Sequence, residues 1–233
     1  MAALYVIPAP LCGSAIDALP PSVIEKVRAL RDFVAENPKT ARALLAEVKM
    51  PCPLPQVSIL RLDEHTPSDV VPSLLAPLRA GRPLGLLSEA GSPAIADPGA
   101  ALVEAAHQEG FRVTPLIGPC SITLALAASG LEGQRFAFCG YLPRESAART
   151  RRIRELEMRS RRERETQIFI ETPYRNDALL GALLASCAPS TRLCIASDLT
   201  LPAENVSTRE VSRWRQSVPT PGRKPTVFLL FAA

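Results

Sequence analysis

The sequence predicts an α/β protein with mainly parallel or mixed sheets. Three observations predict it. Apolar runs of strand length recur along the chain and alternate with segments of helical periodicity. Most of these runs end in loops dense in Gly, Pro, Ser and Asp. With 233 residues, 47% of them hydrophobic, the chain has enough material to bury a substantial core.

The elements follow in order. The run LYVIPAP, Leu4 to Pro10, reads as a buried strand stopped by prolines, which cannot continue a central ladder. Pro20-Pro21-Ser22 opens a helix carrying Val23, Val27, Leu30 and Val34 on one face. A short helix is expected over Thr40 to Val48, then a break at MPCPLPQ and a strand at VSILRL, Val57 to Leu62. Ser68 starts a helix with Val71, Leu74, Leu75 and Leu78 facing one way, interrupted by Pro72 and Pro77 and capped by Gly81. GLLS is the next strand, followed by the loop SEAGSPAIADPG, Ser88 to Gly99, and the helix ALVEAAHQEG. FRVTPLIG is a strand, and CSITLALAASG an apolar helix whose missing polar face implies deep burial.

The second half repeats the scheme: strand FAFCGYL, an Arg-rich helix, strand TQIFIET, helix NDALLGALLASC, strand and loop RLCIASDLT, short helix VSRWRQSV and strand PTVFLLFAA. The expected organisation is two α/β domains, residues 1–117 and 118–233.

Composition excludes several classes. No apolar run reaches the roughly 18 residues of a membrane span, and MAALYVIPAP is too short and lacks the basic leader of a signal peptide, so a cytoplasmic protein with no membrane association is expected. The six cysteines form no CxxC pair and, with only His65 and His107, complete no zinc spacing; no metal is expected, and the thiols are read as reduced and mostly buried. The net charge of +4 is compatible with a polyanionic partner. Residues 144–165 concentrate it, with nine arginines against five glutamates. Their Glu155, Glu157, Glu163 and Glu165 would permit i,i+4 pairs on a solvated face, against the alternative of an RNA-facing helix without aromatic residues for base stacking.

In open α/β sheets ligands gather beyond the carboxyl ends of strands. The loops to search are therefore Pro8–Asp17, Ser88–Gly99, Ile117–Ser121, Glu171–Arg175 and Ser197–Thr200. No GxGxxG and no GxxxxGK[ST] occurs, so neither a dinucleotide fingerprint nor a P-loop is supported. Candidate acids on these and neighbouring loops are Glu36, Glu89, Asp97, Glu171 and Asp198, with Lys39 and Arg175 as cationic helpers. Asp97, before Pro98-Gly99, suits a turn and helix cap better than a base, and Asp198 could equally pair with a neighbouring arginine.

SEAGSPAIADPG, PLIGPCSITLALAASGL, RFAFCGYLPR and FIETPYR, together with the first strand and its Pro-rich loop, resemble the ribosomal RNA small-subunit 2′-O-ribose methyltransferase group of the tetrapyrrole methylase superfamily. The match spans nearly the whole chain and is most specific over Leu86 to Arg144. The resemblance implies two α/β domains with S-adenosylmethionine in the cleft between them, leaving as S-adenosylhomocysteine, and a homodimer. Carried over residue by residue, Pro10 and Leu11 would lie in the first-strand loop towards the substrate. Gly91, Ser92, Pro93, Ile95, Cys120 and Ser121 would contact the cofactor, and Ile170, Pro225 and Thr226 would close over adenine and the methionine moiety. For the catalytic base, Glu36, Glu89 and Glu171 are the candidates.

The departures from the family pattern bear on the acceptor. Ala35, Glu36, Asn37, Pro38 and Lys39 stand where the RNA-methylating relatives carry Ala-Glu-Asp-Thr-Arg. Pro10, Leu11, Cys12 and Gly13 replace Pro-Ile-Gly-Asn, and Leu201 replaces a basic residue. The expected activity is methyl transfer to RNA, ribosomal RNA or the small ribosomal subunit, with a ribose 2′-hydroxyl as one acceptor. Two alternatives stay open: a methyltransferase of a tetrapyrrole or other small molecule, and a cofactor-binding protein without turnover.

Overall fold

The computed structural model describes residues 2–233, which divide into two compact units, Met1–Cys120 and Ser121–Ala233. Each carries one five-stranded sheet.

The first unit contains strands β1 (Ala3–Ile7), β2 (Asp32–Ala35), β3 (Ser58–Arg61), β4 (Leu84–Leu87) and β5 (Arg112–Pro115). Their order is β3-β2-β4-β1-β5, and every pairing is parallel. The helices are α1 (Ala15–Ala18), α2 (Pro21–Arg28), α3 (Pro38–Glu47), α4 (Ala76–Arg79) and α5 (Ala100–Gln108). Because side chains alternate across a strand, Ile7, Phe33, Ala35 and Leu87 pack against the α1–α3 side. Leu4, Val34, Leu84 and Leu86 face the α4 and α5 side. A sheet buried on both faces needs continuous apolar strands, and the apolar runs of β1 and β4 meet that need.

Two expectations change here. Val34 does not continue α2: the helix ends at Arg28, and Asp32–Ala35 forms the fully buried strand β2, paired with β3 and β4. Val34 happens to continue the helical spacing of Val23, Val27 and Leu30, and a strand covered on both faces shows no alternation to betray it. The segment after Ser68 is a 3₁₀ turn over Val71–Leu75 leading into the four-residue α4, because Pro72 and Pro77 each remove a backbone donor.

The second unit contains β6 (Phe136–Tyr141), β7 (Thr166–Ile170), β8 (Arg192–Ser197), β9 (Asn205–Glu210) and β10 (Thr226–Phe231), in the order β6-β7-β10-β8-β9. Only β6 and β7 pair in parallel; β10 runs antiparallel to β7 and β8, and β9 antiparallel to β8. One face is covered by α7 (Ser146–Glu163), α8 (Asn176–Ser186) and α9 (Val211–Gln216). That core includes Phe169 and Phe228, stacked with centroids 6.1 Å apart. Trp214 is buried there, its indole N–H donating to the Leu193 carbonyl at 2.8 Å. Against the other face lies α6 (Ser121–Ser129).

Helix α6 corrects the expectation of deep burial. Ile122, Ala125, Leu126 and Ser129 are buried, whereas Thr123, Leu124, Ala127 and Ala128 are exposed. It rests on the sheet by one stripe at i, i+3, i+4 and i+7, and its outer face of Thr123, Leu124, Ala127 and Ala128 carries no charge. The cysteines are likewise less buried than expected: Cys187 and Cys194 are buried and the other four only partly so. Burial pushes the Cys187 thiol up to about 12, with the neighbouring Glu157 adding to the effect and Arg215 opposing it.

Candidate active site

A parallel sheet sends all its carboxyl ends to one edge, so in the first unit the loops after β1, β2, β3, β4 and β5 share that edge. The β1 and β4 loops are tied together by Ala9 and Gly91, whose amides and carbonyls exchange hydrogen bonds of 2.9 and 3.0 Å. The β5 loop closes on both. A Cβ on Gly118 would stand 2.2 Å from Pro8 Cγ, and the Ser92 hydroxyl donates to the Pro119 carbonyl at 3.5 Å.

The β4 loop is held in an uncommon conformation. Gly91, Ala94 and Ala96 all have positive φ, at +71°, +65° and +55°. At Gly91 the glycine is required, since a Cβ would also stand 3.1 Å from Leu11 Cδ2. At the two alanines the left-handed conformation costs about 1 kcal/mol or more each. What holds it is Asp97, whose Oδ1 accepts from the amides of Ala94 at 3.1 Å and Gly99 at 2.7 Å. Ser88 donates to the Gly91 carbonyl at 2.6 Å. Asp97 therefore shapes the turn, and the local strain is concentrated where a ligand would meet backbone.

These loops present Gly91 and Ser92 beside Pro93, Leu11 and Pro10, with the apolar Ile95 47% exposed and Ile117 77% exposed. A glycine whose Cβ position is blocked, a hydroxyl, backbone amides and uncovered aliphatic side chains suit a nucleoside carrying an apolar, sulfonium-bearing chain. Such a donor set fits S-adenosylmethionine. Cys120 ends this unit and Ser121 starts α6.

A cavity of about 370 Å³ opens at the ends of β2, β3 and β4, lined by Glu36, Asn37, Pro38, Arg61, Asp63, Glu64, His65 and Glu89. It brings together Glu36 and Glu89, two of the acids singled out from sequence. It also adds Asp63, Glu64 and His65, whose position directly after the apolar strand VSILRL was the signal for them. The two flanking carboxyls are pushed apart. Partial burial, then the charges of Glu89, Asp97, Glu64 and Asp63, raise Glu36 above its ordinary value. Withdrawal from water acts upward on Asp63 too, but hydrogen bonds from Thr66 and the His65 amide and the charge of Arg61 hold it below. Glu89 accepts from the Thr40 hydroxyl at 3.1 Å. Among the described residues the Glu36 side chain has no hydrogen-bond or ion-pair partner, and Lys39 is exposed at the start of α3.

The second unit holds the remaining candidates. Ile170 ends β7 opposite Val227, and Thr226 pairs with Ser197 across β10 and β8, so Ile170, Pro225 and Thr226 converge on one sheet edge. The Thr226 and Ser197 hydroxyls are 2.9 Å apart, and the buried Asn176 amide donates to the carbonyls of Gly222 and Lys224 at 3.0 and 2.8 Å. Glu171 is buried and ion-paired with Arg175 at 2.8 Å, while its other oxygen accepts from the Thr172 amide. Both members of that pair hold each other, so each is suited to fixing this edge. Asp198, at φ +54°, pairs with Lys224 at 3.0 Å; its partner is a lysine of the β10 loop and not an arginine.

The chain matches the family model for Tetrapyrrole (Corrin/Porphyrin) Methylases over residues 22–213. The chain belongs to the tetrapyrrole methylase family. It is an S-adenosylmethionine-dependent methyltransferase, and the resemblance carried by the Leu86 to Arg144 motifs holds. Among relatives, the Ribosomal RNA small subunit methyltransferase I of Escherichia coli O157:H7 is 32% identical over 203 residues, 87% of this chain and 67% of that one. The protein of the same name from Xylella fastidiosa is 34% identical over 203 residues, 87% of this chain and 70% of that one. The chain thus spans about two thirds of the length of these relatives.

The fold of this tetrapyrrole methylase is also that of two solved structures. The crystal structure of the methyltransferase CobJ superimposes with a TM-score of 0.66 at 21% identity, covering 100% of this chain and 95% of that one. A uroporphyrin-III C-methyl transferase from Thermus thermophilus, complexed with S-adenyl homocysteine, gives 0.59 at 14% identity, with 99% and 97% covered.

Proposed function

We propose that this protein transfers a methyl group to ribosomal RNA of the small subunit, with a ribose hydroxyl as acceptor and Glu36 as the general base. The observation that carries the reading is the Glu36 carboxylate: partly buried, raised in pKa, without a protein partner, and facing a cavity at the carboxyl edge of a parallel sheet. The names of the relatives support RNA as the acceptor class.

When bound, S-adenosylmethionine supplies an electrophilic methyl group. Pro10, Leu11, Gly91, Ser92, Pro93, Ile95, Cys120 and Ser121 would hold it, with Ile170, Pro225 and Thr226 enclosing adenine and the methionine moiety. The chain's main task is positioning. A sugar hydroxyl is a poor nucleophile until a base takes its proton, and a carboxylate raised above its ordinary value is a better base than an unperturbed one. Glu36 would receive that proton. The nearby carboxylates of Glu89, which accepts from Thr40, and of the lowered Asp63 act to raise Glu36, the separation of roles expected when neighbouring acids are pushed apart. The reading places the enzyme in the cytoplasm, with the ribosome, and carries the family expectation of a homodimer, which sedimentation would check.

The test is incubation of the purified protein with methyl-labelled S-adenosylmethionine and small ribosomal subunits from a strain lacking the gene. Label in the RNA, at a site that resists alkaline cleavage of the adjacent phosphodiester, is expected. Label recovered only in a small-molecule fraction would replace the RNA acceptor by a tetrapyrrole or similar compound. Donor binding with no transfer would reduce the protein to a cofactor-binding one.

A further inference from the structure

Helix α7 carries a charge that the unit it belongs to does not use. Its buried stripe is Ile153, Leu156, Glu157 and Ser160, and on the opposite side Arg151, Arg154 and Arg161 are exposed at helical spacing, with Met158 between them 62% exposed. The glutamates do not neutralise them. The Glu145 carboxylate caps the helix, accepting from the amides of Ala147 at 2.7 Å and Ala148 at 2.6 Å, although its charge is felt by Arg151. Glu157 points inward, accepting from the Ala188 amide at 2.7 Å and from the Thr191 hydroxyl. Glu155 pairs with Arg152, Glu163 with Arg135 and Arg162, and Glu165 with Arg159. Among the described residues Arg151, Arg154 and Arg161 have no carboxylate within ion-pair distance. The i,i+4 network that the sequence permits is not formed; the one spaced pair within the helix is Arg152–Glu155, at i,i+3.

The helix macrodipole accounts for Arg161 near the carboxyl end, but Arg151 and Arg154 lie in the middle turns, beyond its reach. Three uncompensated guanidiniums along about 15 Å of helix form a row suited to successive phosphates, which arginine engages through paired N–H donors. No aromatic side chain lies in the helix, so the surface has nothing on which to stack an unpaired base.

We infer that the outer face of α7 is a docking surface for the phosphate backbone of RNA, with Arg151, Arg154 and Arg161 positioning the substrate without reading its sequence. This rests on the RNA reading above. Backbone contacts of this kind set register and affinity but carry no base specificity.

The experiment compares the full-length wild type with the triple variants R151Q/R154Q/R161Q and R151K/R154K/R161K. Binding to small-subunit ribosomal RNA is followed from about 50 to 200 mM salt, alongside S-adenosylmethionine binding and methyl transfer. Each phosphate contact contributes roughly 0.7 to 0.9 to the slope of log affinity against log salt. The glutamine variant is therefore expected to lose about two units of slope and to raise KM for RNA at least about tenfold, with donor affinity unchanged. The lysine variant, retaining charge, should keep most of the slope. A glutamine variant with wild-type slope, in a protein that does methylate RNA, overturns the surface and leaves the RNA reading standing. A wild type that neither binds nor methylates RNA overturns both. Equal loss of donor binding in the glutamine and lysine variants would mark a structural role for these arginines and also overturn the surface.

Discussion

The two units differ in charge as much as in topology. Residues 1–120 carry ten Lys and Arg against twelve Asp and Glu, and residues 121–233 carry seventeen against eleven. The first unit gathers carboxylates in one cavity at the edge of an all-parallel sheet. The second is cationic, with all but one of its basic residues arginine, and its acids are spent on caps, buried hydrogen bonds and ion pairs. On the function proposed above, the first unit would move a proton and the second would meet a polyanion. Parallel topology explains the first case, because every strand delivers its following loop to the same place. In the second sheet the central β10 runs against its neighbours, so the edge near Ile170 combines the carboxyl ends of β7 and β8 with the start of β10.

The sharpest way to break this division is Glu36→Gln. Loss of a general base is expected to lower kcat by roughly 10² to 10⁴, with S-adenosylmethionine affinity, followed by calorimetry, unchanged. Retained turnover would remove the proton-transfer role from the acidic unit. Smaller, and directed at the other unit, is Glu157→Ala. It leaves the Ala188 amide and the Thr191 hydroxyl without their acceptor, and should cost about 1–3 kcal/mol in a urea titration while leaving Glu36 chemistry intact.

Gly91→Ala probes the loop geometry. With φ at +71° and Leu11 in the way, about 1–2 kcal/mol of strain is expected, together with weaker donor binding.

The pH dependence follows from the raised Glu36. Activity should rise as pH climbs through its folded pKa, above the ordinary 4.5, and the limb should disappear in Glu36→Gln. For stability the sign is opposite. Between the unfolded and the folded pKa the folded state binds more protons, so this group favours folding as pH falls through that window, and its ionisation removes the benefit above it. The smallest effect expected is on thiol reactivity: Cys187 should react with alkylating reagents only as fast as the unit unfolds.

Much of this was readable in the chain because both sheets have apolar centres. The runs at Leu4, Leu84, Ile168 and Phe228 fall on strands, and the loops after the first three hold Pro10, Glu89 and Glu171 among the site candidates, whereas Glu36 follows the unread strand β2. What was hidden had physical reasons. Strand β9, NVSTRE, is an edge strand paired only with β8, and its polar, half-exposed side chains give no hydrophobic signature. Asp63 and Glu64 were passed over because they open the polar stretch DEHT, which reads in sequence as a solvated turn. The inward turn of Glu157 could not be read from helical spacing alone, since a buried glutamate looks the same in sequence as a solvated one.

The place of β10 has a consequence for biosynthesis. It is inserted between β7 and β8 with all six residues buried, yet it is made after every other strand of its sheet. Until it leaves the ribosome, the β6–β7 pair and the β8–β9 hairpin each present an open, hydrophobic edge, the kind on which nascent chains associate wrongly. The yield of correctly folded protein should therefore depend on how soon β10 follows β9 out of the ribosome, and on chaperones holding the two halves of the sheet apart in the interval.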